Sequence, residues 1–357
     1  LTRLRKSDRR AVNIAEVAAL AGVSTATVSR ALSEPSQLRP DTLARVNDAV
    51  AKTGYMPNVA ARTLRARRSM VVLVVVPDIG NPFFSEVLRG IEDELSQHNY
   101  GLLIGNIGIM QEHQAQIVGI VQAGQVDGVI LLNGHVPSKD GRDLVTHGIP
   151  MVAVCEPIPG GNFPQVDVRN RESAGLAVAH LARLGHRSLA YLGGPQHNIL
   201  ERERQAGFRD GLRACGLTAR GTRFFAGDFT MASGAVAAEQ FLASQPRPTA
   251  LFAANDEMAI GFIKTVRGAG LRVPDDVSVF GFDGIAFADF VEPTLTTFRQ
   301  PRRELGRIGA GLLLRRIAGE PMTPDEARVH LDAVLLDRAS TAMAPRSSAQ
   351  LRRGDAA

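Results

Sequence analysis

Ile14-Ala-Glu-Val-Ala-Ala-Leu-Ala-Gly-Val-Ser-Thr-Ala-Thr-Val-Ser-Arg-Ala-Leu32 spells two short helices and the turn between them. Ile14, Val17, Ala18 and Ala21 keep helical spacing, and Asn13 can cap that helix with Glu16 three residues on. Gly22-Val23 breaks the pattern, and Ser24 can cap a second helix, Thr25 to Ala31, whose Val28 and Ala31 face inward. A third helix starts near Asp41, after Pro40, with Leu43, Val46 and Val50 down one face and Gly54 to end it. Helix, tight turn, helix at this size is a helix-turn-helix.

The second helix carries the chemistry. With Val28 and Ala31 buried, Thr25, Ala26, Thr27, Ser29 and Arg30 remain for other work, beside Ser24 at the helix start. Methyl groups can meet thymine and an arginine can bond guanine bidentately in a major groove. A small surface helix in an ordinary bundle has the same pattern. The charge leans towards a polyanion. Residues 1–68 hold thirteen basic and five acidic side chains, a surplus of +8, which leaves −3 for the other 289. An arginine-rich solvated surface would read alike.

Downstream, Pro57 fixes the entry of a short basic stretch and Asn58 can cap a helix to Leu64. That helix is too short to stand alone. It is expected to order on DNA, with Arg62, Arg65, Arg67 and Arg68 on phosphates. A plain basic linker is the other reading.

From residue 70 aliphatic runs alternate with amphipathic stretches. Strands are expected at Met70–Val76, Leu102–Gly105, Gly128–Leu132, Met151–Val154, Ser188–Leu192, Thr249–Ala253 and Val277–Phe282. Helices are expected at Phe84–Gln97, Glu112–Ala123, Ser173–Leu184, Arg202–Ala214, Ala232–Ala243, Met258–Ala269 and Glu304–Ala318. Such alternation builds parallel sheets covered on both faces, here two doubly wound lobes. Ligands of these sheets sit beyond the strand C-terminal ends, in a cleft between lobes.

Two motifs resemble the LacI/GalR transcription regulators. The quoted helix-turn-helix string is similar to their DNA-binding headpiece, and Gly54-Tyr-Met-Pro-Asn-Val-Ala-Ala-Arg-Thr-Leu64 to their hinge helix. Val76-Pro-Asp-Ile-Gly-Asn-Pro-Phe-Phe84, Arg204-Gln-Ala-Gly-Phe208 at a helix start, Ala254-Asn-Asp-Glu-Met-Ala-Ile-Gly261, Val279-Phe-Gly-Phe-Asp283 and Pro293-Thr-Leu-Thr-Thr-Phe298 follow in family order. The resemblance implies an all-α headpiece, a hinge helix, and an α/β periplasmic-binding-protein-like domain of two doubly wound lobes. It implies a DNA-binding regulator, a repressor, controlled by a small polar effector, acting as a homodimer on near-palindromic operator DNA in the cytoplasm.

By position, Thr25, Ala26 and Arg30 match base-reading residues, and Ala61 and Leu64 match hinge residues that enter the minor groove, Leu64 as an apolar wedge. Phe83, Phe84, Arg204, Asn255 and Asp283 match effector contacts, with Asp78 in the same strand-end loop. An aspartate accepts from vicinal hydroxyls, an arginine donates in a fixed fork, and a Phe face can stack on a sugar or a base. Phe83 and Phe84 equally suit a core, Asn255 and Asp256 a helix cap, and Asp283 a turn.

Val166-Asp-Val-Arg-Asn-Arg171 departs from the family pattern: Arg169 stands where an aspartate belongs. Either a register shift lets Asp167 serve, or Arg169 adds positive charge to the cleft and favours an acidic or phosphorylated effector. Val28-Ser-Arg-Ala-Leu32, Phe83-Phe-Ser-Glu86, Gly227-Asp-Phe-Thr230 and Gln300-Pro-Arg302 resemble the cytidine-responsive branch. Nucleosides thereby join sugars and sugar derivatives as candidate effectors.

The expected boundaries are 12–57 for the headpiece and 58–68 for hinge and linker. The first lobe takes 69–167 plus 299–328, and the second 168–298 plus 329–343. A disordered tail, 344–357, shows no leucine heptad, so a dimer is expected.

Other chemistries find no footing. Cys155 and Cys215 form no CxxC pair, and eight histidines form no HExxH motif or i, i+4 pair. There is no GxSxG elbow and no GxxxxGK[ST] loop, and Gly105-Asn-Ile-Gly108 and Gly193-Gly194 are too sparse for a dinucleotide fingerprint. No catalysis, cofactor or metal is expected. The basic N-terminus is followed by no apolar segment of a signal peptide, and the longest apolar run, Met70 to Val76, is far short of a membrane span. The competing reading is a cytoplasmic ligand-binding module of the same lobed fold without a gene-regulatory role.

Overall fold

The structure, a computed structural model, describes residues 12–33, 35–55, 68–108, 111–139, 142–218 and 222–345. The chain divides into two compact units between Arg68 and Ser69.

The first unit holds α1 (Ile14–Ala21), α2 (Thr25–Ser33) and α3 (Pro40–Thr53). The Asn13 Oδ1 accepts from the Ala15 and Glu16 N–H groups, and its Nδ2 donates to the Glu16 carboxylate at 3.1 Å. The expected cap is therefore present. Gly22 ends α1 at φ +64°, a left-handed conformation that suits a residue without Cβ. Val17, Ala18, Ala21, Val28, Ala31, Val46 and Ala49 form the core, with Leu43 and Val50 packed against it.

The second unit contains two six-stranded sheets. The first has the order β13-β7-β6-β3-β1-β2, built from β1 (Val71–Val76), β2 (Gly101–Asn106), β3 (Gly128–Leu131), β6 (Met151–Val154), β7 (Gln165–Val168) and β13 (Arg328–Leu331), all parallel. The second has the order β14-β12-β11-β10-β8-β9, from β8 (Leu189–Gly193), β9 (Arg223–Ala226), β10 (Ala250–Ala253), β11 (Ser278–Asp283), β12 (Thr296–Arg299) and β14 (Val334–Leu336). Only β14 runs antiparallel there. A two-stranded ribbon, β4 (Ser138–Lys139) with β5 (Arg142–Asp143), stands apart.

Helices α4 (Phe83–Gln97), α5 (Gln111–Gln122) and α10 (Arg302–Ala318) contact the first sheet. Helices α6 (Asn170–Arg183), α7 (Ile199–Ala214), α8 (Met231–Ala243) and α9 (Asp256–Gly268) contact the second. α4 and α10 meet backbone to backbone. A Cβ on Gly90 would lie 1.9 Å from the Arg303 carbonyl oxygen, and one on Gly306 would lie 2.1 Å from that of Val87. Gly207 and Gly211 on α7, and Gly234 and Gly261 on α8 and α9, seat the other two helix pairs in the same way.

The chain passes between the sheets three times: after β7, between β12 and α10, and between β13 and β14. Val329 to Leu331, expected in the second lobe, pair instead with Val166 to Val168 in the first sheet. Arg328 and His330 interrupt the apolar residues Val329 and Leu331, so no aliphatic run marks this edge strand of the first sheet. Ala344 donates to the Leu184 carbonyl, and the rest of the expected tail, 346–357, lies outside the described residues. Among the described residues no helix is long and apolar enough to cross a membrane, and no group of three or more His, Cys, Asp or Glu could hold a metal ion.

Candidate DNA-reading face and effector cleft

On α2, Val28 and Ala31 are turned into the core, and Ser24, Thr25, Ala26 and Arg30 are exposed. The Ser24 Oγ accepts from the Thr27 N–H at 3.1 Å and hydrogen-bonds the Thr27 Oγ1 at 2.9 Å. These two hydroxyls are thus committed to the helix start. Ser29 is half-buried. The open surface is Thr25, Ala26 and Arg30, and Arg30 forms no ion pair among the described residues. Of the hinge candidates, Asn58, Ala61, Arg62, Leu64 and Arg65 all lie outside the described residues.

The second candidate site gathers at the strand C-terminal ends of both lobes. Arg204, 3% exposed, is its organiser. Its Nε donates to the Asn170 Oδ1 at 2.9 Å and its Nη1 to the Ala254 carbonyl at 2.5 Å. Its Nη2 stands 3.8 Å from the Asp283 Oδ1, and the guanidinium lies 4.0 Å over the Phe282 ring. Arg204 does not open a helix as expected. α7 begins at Ile199, because the Asn198 Oδ1 caps it by accepting from the Leu200 and Glu201 N–H groups.

Asp283 takes φ +118°, a strained conformation for a residue with a Cβ. Gln300 Nε2 donates to its Oδ1 at 2.7 Å, and the pairing of β11 with β12 fixes its backbone. Burial pushes the Asp283 carboxyl above the usual carboxylate range, against the pull of the Arg204 guanidinium. Asn255 caps α9 through the Met258 N–H and donates from Nδ2 to the Phe229 carbonyl. Its neighbour Asp256 is fully buried, accepting from Thr297 Oγ1 at 2.6 Å and the Ile285 N–H at 2.9 Å. Burial and the nearby Asp283 raise its carboxyl too.

In the first lobe, the exposed Asp78 accepts from the Gly80 N–H at 2.8 Å. Phe83 and Phe84 begin α4, edge to face at 5.2 Å between ring centroids, and each is only 7% exposed. Both therefore belong largely to the first-lobe core.

Arg169 departs from both expected alternatives. Its guanidinium is exposed and pairs with Asp332 at 3.2 Å and Glu172 at 3.7 Å. Asp167 is buried, and its Oδ1 bonds the His330 ring at 2.5 Å. The inward position falls one residue later. Asn170 is 6% exposed, donates to the Val168 carbonyl and accepts from Arg204.

Sequence reasoning also missed Asn133, Cys155, Glu156 and Glu257. Asn133 Nδ2 donates to the His135 carbonyl at 2.8 Å, which orients the amide, and its buried Oδ1 has no hydrogen-bond partner. The Glu156 Oε2 accepts from the Gly134 N–H at 2.8 Å and from Asn198 Nδ2 at 3.2 Å, so it ties the first lobe to the second. Burial, together with Glu156, Asp283 and Asp167, pushes the Cys155 thiol well up, which sets Cys155 among groups of both lobes. Partial burial, then the Asp283 and Asp78 carboxylates, push Glu257 up to about 7. The signal was available: these are the residues at or just past an aliphatic strand's end, the criterion that found Asp78 and Asp283. A separate cavity of about 640 Å³ lies at the opposite, N-terminal strand ends of the first sheet, near Pro150, Phe163, Pro164 and Arg316. It shares none of these residues.

Two family models match the chain: bacterial regulatory proteins, lacI family, over residues 13–58, and periplasmic binding protein-like domain over residues 178–341. The chain is 36% identical over 340 residues to the HTH-type transcriptional repressor CytR of Escherichia coli K12, covering 95% of this chain and 99% of that protein. Among solved structures, the Lac repressor dimer bound to operator and the anti-inducer ONPF superposes with a TM-score of 0.81 at 26% identity, over 93% of this chain and all of that one. The transcriptional regulator CelR–cellobiose complex matches with a TM-score of 0.68 at 32% identity, over 92% and 99%.

Proposed function

Because the chain belongs to the lacI family of bacterial regulatory proteins and is a DNA-binding transcriptional regulator, we propose that it is a homodimeric repressor whose operator affinity is set by a small polar molecule held between its two lobes. The observation that carries the DNA half is the division of α2. Val28 and Ala31 are spent on the core, and Thr25, Ala26 and Arg30 are left as a small, methyl-bearing and cationic face. One such helix reads too few bases for a genomic address, so two copies on a near-palindrome are required. The Phe290 ring, 86% exposed, and Leu103 and Ile104 on edge strand β2 give a second copy apolar surface to cover.

The effector half rests on Arg204, Asn170, Asp283, Asn255 and Asn133, which gather at strand ends from both lobes. The CelR relative is described with cellobiose, and a hydroxyl-rich ligand suits this polar set. A ligand can shift the regulator only by binding one interlobe arrangement better than the other. The Glu156–Asn198 hydrogen bond is a contact that such a choice would make or break.

The test has two steps. Selection from a random duplex pool should enrich a near-palindromic site, and the retained complex should then be challenged with sugars and nucleosides in a gel shift. No enriched sequence removes the regulator's specificity, and release by none of the compounds removes the effector reading.

A further inference from the structure

The cavity at the N-terminal strand ends of the first sheet has walls that the protein holds in place. One wall is the loop of residues 158–164. The buried Gln165 closes it, donating from Nε2 to the Ile158 carbonyl at 3.1 Å and accepting from the Ile158 N–H at 3.2 Å. The other wall is the loop of residues 319–327. Arg315 holds it, meeting Glu320 at 3.3 Å and Glu326 at 3.2 Å and donating to the Pro321 carbonyl at 3.3 Å. Glu326 also accepts from the Thr323 N–H at 2.8 Å. The Gln165 N–H donates to the Ala327 carbonyl at 2.8 Å and joins the two walls.

Three charged side chains line the space: Arg316, Arg328 and Glu320. Glu320 is turned onto Arg315, which itself does not line the cavity. Arg316 is half-buried near the end of α10, and Arg328 is exposed at the start of β13. Neither has an ion pair or a side-chain hydrogen bond among the described residues. Arg328 acts at longer range on Asp167, but that carboxylate is already bonded to His330. Two guanidinium forks from different elements are thus open beside an apolar wall of Pro150, Phe163, Pro164 and Met322. The volume, about 640 Å³, is that of a small-molecule site.

A guanidinium offers its donors in a flat fork that fits an oxyanion. A phosphate monoester has three terminal oxygens and up to two negative charges, so it can accept from two forks at once, whereas a carboxylate has two oxygens and one charge. We propose that this cavity is a second small-molecule site, separate from the cleft, and that it takes an organic phosphate monoester. The phosphate sits between Arg316 and Arg328, and the organic body lies against the wall of prolines and Phe163. Both arginines belong to the stretch that returns to the first lobe, and the Phe163 wall belongs to the loop before β7. A bound ester therefore ties the returning stretch to the older part of the sheet. The proposal does not depend on what the cleft binds.

The experiment is thermal denaturation of the full chain with AMP and glucose 6-phosphate, against adenosine, glucose and inorganic phosphate. The expected result is a larger rise in Tm with at least one ester than with its phosphate-free counterpart or with inorganic phosphate. Arg316→Gln and Arg328→Gln remove no existing partner, so each should leave the ligand-free Tm unchanged. Each should weaken the ester by roughly five- to ten-fold in a titration, the size of a partly exposed charge-assisted contact. Asp283→Asn, in the cleft, should leave that affinity unchanged. An ester that gains nothing over its phosphate-free counterpart overturns the proposal, as does affinity that survives both arginine substitutions. Equal stabilisation by inorganic phosphate means an adventitious ion only and overturns it too. A shift that Asp283→Asn abolishes places the ester in the cleft, which sinks this site and leaves the cleft reading standing.

Discussion

Replacing Arg204 by methionine keeps an apolar stem in place but removes the guanidinium. At pH 8 the variant loses two charge-assisted hydrogen bonds, leaves Asn170 Oδ1 and the Ala254 carbonyl without a donor, and strips the buried Asp283 of the cation 3.8 Å away. Breaking a buried pair by removing one partner costs about 3–5 kcal/mol. The sign of the pH dependence follows from Asp283, whose carboxyl already sits above its ordinary value and rises further once Arg204 is gone. A carboxyl held above its unfolded value loses stability as pH climbs through the folded value. At pH 5 the variant's Asp283 is neutral and the charge part of the loss vanishes, leaving about 2 kcal/mol for the two orphaned acceptors. For a unit of this size each kcal/mol moves Tm by about 2–4 °C. The expected deficit is therefore about 10 °C at pH 8 and about half that at pH 5, read by circular dichroism on the full chain. Equal deficits at the two pH values would mean that Arg204 acts by packing and not as the counter-charge of Asp283.

Five further variants have expected outcomes. Arg30→Ala should cost about 1–3 kcal/mol of operator binding and relax one base position, and an unchanged base preference in site selection would contradict it. Leu64→Ala should weaken operator binding more than binding to random DNA, since only a kinked site needs a wedge. Equal losses would refute that role. Gly306→Ala should destabilise by about 2 kcal/mol in thermal melts, because its Cβ would sit 2.1 Å from the Val87 carbonyl. Gly311→Ala on the same helix meets only the Glu94 carboxylate at 3.7 Å and should be neutral or gain up to ~1 kcal/mol; a matching loss there would implicate the helix and not the contact. Phe290→Arg should lower the mass seen by light scattering to that of one chain with an unchanged circular dichroism spectrum, and an intact dimer would show that this ring is not at the interface.

What could be read in the sequence follows from burial. Val71–Val76 and Met151–Val154 are covered on both faces, so their aliphatic runs announce them. Gln165–Val168 is equally buried, but Gln165 and Asp167 are polar because they hold Ile158 and His330, and the strand went unseen. β9 and β13 are four-residue edge strands that mix exposed polar and apolar residues, and β14, though aliphatic, is only three residues long; none makes a run long enough to announce itself. In the site, Arg204, Asn255 and Asp283 were named from their motifs, but their commitments to other side chains and backbone depend on chain segments far apart in sequence. Arg169 shows the limit most clearly. A one-residue offset decides whether a side chain meets the cleft or the solvent, and composition does not record that offset.

The return of the chain to its first sheet bears on synthesis. β13 and α10 complete the first lobe, yet they follow the whole of the second lobe's parallel sheet. While the ribosome translates that intervening stretch, β7 is an open edge and α4 lacks the helix that its Gly90 is shaped to receive. Domains ordinarily fold in the order they emerge, and unpaired edges invite aggregation. Here the earlier lobe must wait for the later one. A nascent chain stopped before about Leu331 would carry a finished headpiece and an unfinished first lobe. A premature stop in the second lobe therefore removes both lobes at once, and one that falls beyond β13 spares the first.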